Sequence, residues 1–326
     1  MIAKRILALL AAIALVIGAI AVRRSWDDGS RDATTTDGAN PTSAPLGAAD
    51  VACITDLATI CAGVTGATVE PWTVTSERLT DDSGPDVWIT VAPLDRLMAD
   101  AGDIRILATT RLVVIGRNGR AEAMQSACEP ADFALWRCVG DAAGQSWSSW
   151  GGDASWGFVA PGVSDPGQTA FGALALGALS TGYFATPTFS SRDISADDGF
   201  VDWYATAVRN VPDAGLSDPL ALLLRRPSAV GLTLWPEALV EPTAGSRLGE
   251  LTVLAPTGSV PVAVVAVTRA GLTVDDLPQG TLDAVASGLV AWDASTIDPT
   301  IADDPWTQLP SAATLVRLGQ LWEETR

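Results

Sequence analysis

Short apolar stretches bounded by polar or turn-forming positions recur from residue 50 onward. Asp50-Val-Ala-Cys-Ile54 reads as a buried strand, and Thr55-Asp56 supplies an N-cap for a helix over Leu57–Val64. Ala67–Trp72 is a second strand and Pro85–Thr90 a third, followed by Pro93 and a helix to Asp100. Ile104–Ile115 is strongly β-branched and ends in the turn Gly116-Arg-Asn-Gly119. Strands alternating with short helices predict a parallel α/β sheet.

Beyond Gly119 the pattern restarts. Ser155–Ala160 reads as a strand. Asp165 as N-cap, Pro166 at the first helical position and Gln168 two places on predict a helix running to about Gly182. Phe200–Val208 and Leu220–Leu224 are helical, and Ala229–Leu234 is a strand. A second β-rich stretch, Leu251–Val267, matches Ile104–Ile115 in composition. Helices over Leu282–Ala291 and Ser311–Glu323 close the chain.

Ahead of all this, Ile6–Val22 is an unbroken apolar run of 17 residues with basic residues on both sides. It fits an uncleaved membrane anchor, with Ala19-Ile20-Ala21 as the cleavage site of the alternative, a signal peptide. Residues 25–49 hold little to bury and read as a flexible linker. Four cysteines follow the apolar run as two close pairs, Cys53 with Cys61 and Cys128 with Cys138. That arrangement predicts disulfides and an oxidising, extracytoplasmic compartment, since no C-x-x-C spacing suggests a metal. For the first pair the geometry agrees. Cys53 lies roughly 7 Å below the strand's end, and Cys61 lies about 9 Å along the returning helix.

Composition then removes whole classes of chemistry. The 326 residues include no histidine, and the only lysine is Lys4. Histidine bases, histidine-ligated metals and a P-loop lysine in the body are therefore excluded, and no cofactor is expected. Net charge is −18, and setting aside residues 1–24, with four positive charges and no negative ones, leaves −22. Nucleic acid is not an expected partner. An enzyme would have to work through a carboxylate pair, and 38 acidic residues make some close pair inevitable without marking one.

Several segments in order carry a family resemblance: Val51–Asp56, Pro85-Asp-Val-Trp-Ile-Thr90, Asp165-Pro-Gly-Gln-Thr-Ala-Phe-Gly172 and Leu232–Val240. Over roughly residues 50–326 the chain resembles the type II periplasmic binding proteins, the solute-binding components of ABC importers, and within them actinobacterial membrane-anchored forms. The resemblance implies a two-lobed α/β fold, each lobe a mainly parallel sheet flanked by helices, plus one N-terminal transmembrane helix. Lobe I would comprise 50–116 and 251–326, and lobe II 117–250, after the anchor (1–24) and linker (25–49). It implies a non-enzymatic protein at the outer face of the cell membrane that closes on a small polar or anionic solute, with an ABC permease or another envelope protein as partner.

Ligand contacts implied by the resemblance are Thr55, Asp56, Thr90, Thr110 and Arg111 from the first lobe and crossover, Gln168, Thr169 and Ala170 from the second, and Trp235 on the return. Helix N-termini at such a junction suit anions or polar oxygens. Arg111 could equally serve an internal ion pair, and Trp147, Trp150 and Trp156 offer either core packing or a stacking platform. The chain departs from the pattern in lacking a lipid-attachment cysteine and in carrying Gln168-Thr169-Ala170-Phe171 where relatives often have a serine. A cleft filled by Trp235 or Phe171 would instead indicate an envelope accessory or scaffold protein.

Overall fold

A computed structural model describes residues 49–81, 83–277, 279–290, 292 and 304–326. The predicted anchor over Ile6–Val22 and nearly all of the linker lie outside the described residues. Among the described residues no helix is long and apolar enough to cross a membrane.

The first part of the chain forms β1 (Val51–Ile54), α1 (Ala58–Cys61), β2 (Thr68–Glu70), α2 (Trp72–Thr80), β3 (Val87–Val91) and the 17-residue β4 (Ala101–Arg117). The middle part supplies α3 (Asn118–Ala127), α4 (Ala134–Ala142), β5 (Pro161–Gly162), α5 (Ala170–Phe184), α6 (Ser191–Ala196), α7 (Asp198–Arg209) and α8 (Pro219–Arg225). It closes with β6 (Leu232–Pro236), α9 (Val240–Ala244) and β7 (Leu251–Leu254). The last part is β8 (Pro261–Arg269), α10 (Gln279–Gly288) and α11 (Ala312–Thr325).

The strands run β2-β1-β3-β8-β4-β6-β5, with β7 also on β4. The long strand β4 belongs to two sheets. Its residues up to Arg111 pair with β8, and those from Leu112 pair with β6 and β7. Because Val114–Gly116 pair with β6 and β7 at once, β7 and β8 follow one another along the same edge of β4. This is a mixed α/β arrangement, as the resemblance implies, in which the strand path turns from one sheet into the other at β4.

The expectation of mainly parallel sheets needs correction. Only β1–β2, β1–β3 and β5–β6 are parallel, while β3–β8, β4–β8, β4–β6 and β4–β7 are antiparallel. The two β-rich stretches pair with each other in opposite directions, because the chain re-enters the first sheet on its way back. Alternation within β4 explains why Leu112–Ile115 are apolar at four successive positions. Leu112 and Val114 enter the main core, and Val113 and Ile115 enter a second core with Leu220, Leu223 and Val230. Helix α5 is apolar all round and buried from Ala170 to Gly182 between α4, α11 and β6.

Several local expectations shift. The helix over Leu57–Val64 is a 3-10 turn (Thr55–Leu57) and the single turn of α1. The helix expected after Pro93 is a 3-10 turn, Leu94–Leu97. The turn after Ile115 is absent, since β4 continues to Arg117 and α3 starts at Asn118. Ser155–Ala160 is no strand: Ala154–Trp156 is a 3-10 turn and Phe158 makes one bridge to Ser146. Both disulfides form, with Cα separations of 6.5 Å for Cys53–Cys61 and 5.9 Å for Cys128–Cys138.

Candidate functional site

The polar residues singled out from the sequence gather where the C-terminal end of β1 faces the N-terminus of α5. Helix α5 opens at Thr169, four residues later than the Asp165 cap predicted. Asp165 instead shapes the turn before it, its Oδ1 accepting from the Gly167 amide at 2.9 Å. Thr169 is the cap. Its Oγ1 accepts from the Gly172 amide at 3.1 Å and donates to the Asp165 carbonyl at 2.8 Å. Gly172 is required here, because a Cβ would collide with the Ser164 carbonyl oxygen.

Asp56, just past the end of β1, completes the helix start. Its Oδ2 accepts from the Ala170 amide at 2.7 Å, and its Oδ1 accepts from the Phe171 amide at 3.1 Å. The carboxylate thus sits where aligned peptide dipoles favour negative charge. Burial pushes its pKa up to about 6 nonetheless, against the pull of the amide bonds. Two further bonds grip the same turn: Trp72 Nε1 donates to the Pro166 carbonyl and Thr73 Oγ1 to the Gly167 carbonyl, both at 2.8 Å.

A second group lies at the sheet switch. Arg111 makes a bidentate pair with Glu237, at 2.7 Å from Nε and 3.0 Å from Nη2, with both side chains about a quarter exposed (23% and 24%). Of its two readings, the internal ion pair is the one observed. The neighbouring Thr110 hydroxyl accepts from the Ala238 amide at 3.2 Å. Strand β6 joins the groups, since Trp235 meets the Phe171 ring edge-on at 6.0 Å and Glu237 follows two residues later. On its other side Phe171 packs against Trp292 at 6.4 Å. The indole N–H groups of Trp235 and Trp292 and the Thr90 hydroxyl are buried without a partner.

The structure therefore brings Asp56, Thr169, Ala170 and Trp235 together and places Thr110 and Arg111 close by along β6. Thr55 and Gln168 are exposed. Trp147 is buried, with Trp156 against its edge and the Arg120 guanidinium over both rings, so these indoles form core rather than a stacking platform. Trp72, Thr73, Glu237 and Trp292 were missed, and Phe171 was named only as a side chain that could fill a cleft. Phe171 and Glu237 stand inside the recognised motifs, but a motif does not tell which neighbour a side chain meets. Trp72 was read as the end of a strand.

No protein-family model matches the chain, and no curated protein matches it. Among solved structures it is similar to the periplasmic binding protein AfuA from Actinobacillus pleuropneumoniae, bound to fructose-6-phosphate. Identity is 9% over 85% of this chain and 97% of that one, with a TM-score of 0.49. An ABC transporter solute-binding protein of Agrobacterium vitis with bound D-mannitol is 14% identical over 82% and 78%, with a TM-score of 0.41. The reduced regulatory domain of OxyR2 from Vibrio vulnificus is 14% identical over 77% and 100%, with a TM-score of 0.43. Every score lies below 0.5. What the chain shows by itself is a mixed α/β topology, two sheets joined by the shared β4 and by the consecutive β7 and β8.

Proposed function

We propose that the chain is an extracytoplasmic solute-binding protein, held at the membrane by Ile6–Val22, that takes a small polar ligand between its lobes for ABC-type uptake or sensing. It works by binding and closure, with no bond made or broken in the ligand. One observation carries this reading: the rings of Trp235 and Trp292, whose buried N–H groups have no partner among the described residues, both pack on Phe171 in the first turn of α5. Buried donors normally find an acceptor, and a ligand's hydroxyl or carbonyl oxygen would supply one. Native mass spectrometry of the full chain from its own host, followed by thermal shift with the released molecule, tests it. A co-purifying small molecule that raises the melting temperature supports the reading. Its absence, with no shift across a panel of sugars, polyols and amino acids, ends it.

A second reading, an envelope accessory or scaffold protein with a self-filled cleft, draws on the Arg111–Glu237 pair and on Phe171 wedged between two indoles. Retained cellular function in a chain whose lobes are cross-linked shut would favour it, because a scaffold does not need to open.

A further inference from the structure

The leading amides of α5 are all taken. Those of Ala170 and Phe171 donate to Asp56, that of Gly172 to Thr169 Oγ1, and that of Ala173 to the Thr169 carbonyl at 3.3 Å. The end of a 15-residue helix carries about half a positive charge, and Asp56 answers it with a full negative one. Arg111, reached through β6, is committed to Glu237 by both arms of its guanidinium. Asp165 stands at the foot of the same turn and adds another carboxylate. Among the described residues, an anion arriving at this helix start meets occupied amides and carboxylates already in place.

We propose that Asp56 is a tethered stand-in for an anionic ligand and sets the charge specificity of the cleft: the chain refuses small carboxylates and oxyanions and admits uncharged polar solutes. The two Asp56 oxygens lie on two successive amides, as those of a free carboxylate would. The Trp235 and Trp292 N–H donors, without partners among the described residues, can serve any oxygen acceptor, and it is the carboxylates of Asp56 and Asp165 that disfavour a charged one. The choice of an uncharged solute rests on the solute-binding reading. The occupation of the amides does not, and it can be tested without knowing any solute.

Shortening Asp56 to alanine leaves both amides facing a gap that acetate fits. Thermal unfolding of the full-length wild type, Asp56→Ala and Asp56→Asn is followed in sodium acetate, in sodium chloride at equal ionic strength, and in acetamide. Asp56→Ala is expected to melt below wild type and to recover on the order of 3 °C when acetate reaches about ten times its dissociation constant. Chloride and acetamide give no such recovery, and wild type and Asp56→Asn gain nothing from acetate. Equal stabilisation of wild type or Asp56→Asn by acetate overturns the proposal, as does a folded Asp56→Ala that acetate does not rescue. Should Asp56→Ala not fold, the Ala170 and Phe171 amide signals of the wild type decide, by NMR at pH 7. They stay in place as acetate is added if Asp56 holds them, and movement refutes the claim. Acetate rescue without any neutral solute removes the solute-binding reading but keeps Asp56 as the occupant. A bound solute without rescue does the reverse.

Discussion

Two acidic residues reach across the molecule, and they do so on different terms. Glu237 meets a matched cation, Arg111, through two bonds at a site that water still reaches. Asp56 meets no cation there: its partners are neutral amides and a helix dipole, and burial raises its pKa to about 6. The first pair carries no net charge and is held by the geometry of a planar guanidinium. The second is an ion on donors that any other acceptor could use, and its own proton can neutralise it. A matched pair fixes a joint, whereas a lone carboxylate on open amides makes a joint that another acceptor or a proton can contest.

Removing the ring of Phe171, whose amide Asp56 holds, is expected to have the largest effect. Phe171→Ala empties a position that is 3% exposed between two indoles, and about 3–5 kcal/mol of stability is the usual cost. Urea unfolding measures it, and a loss below about 1 kcal/mol would mean that the cleft collapses onto the gap. Asp56→Asn sharpens the contrast through pH. A carboxyl whose pKa is higher folded than unfolded holds its proton more tightly in the folded state, so its contribution to stability falls as pH rises from about 4 to 6. The fall amounts to about 2–3 kcal/mol in wild type and is missing in Asp56→Asn. Parallel stability curves for the two proteins from pH 4 to 7 would refute the assignment. The smallest effect belongs to Glu237→Gln, about 1 kcal/mol, because the pair is partly solvated. A double-mutant cycle with Arg111→Met reads the coupling directly, and a coupling near zero would remove the contrast.

The order of elements was legible in the sequence because apolar alternation and helix signals are local. Val87–Val91, Asp198–Arg209 and Ala312–Thr325 emerged nearly where the pattern put them. Strand direction was not legible. Nothing within Ile104–Ile115 tells that its partner will be Val262–Val267 running the other way. At the site, Asp56 and Ala170 were named for one reason, a ligand between them, and the structure joins them to each other. The signals for a ligand contact and for an internal cap are the same residues, an acidic group and a helix start. Only the distance between two segments more than a hundred residues apart separates the two cases. The displaced helix start has a similar cause: Asp165 and Thr169 are both good caps, and the turn that Asp165 closes on Gly167 settles the competition.

The shared strand also has a thermal consequence. Loss of β4 would strip β8 and β6 of one partner each, leaving them β3 and β5, and would take from β7 the strand it pairs with, all in the same event. Neither sheet can melt ahead of the other while that strand holds, so heating meets a single cooperative unit.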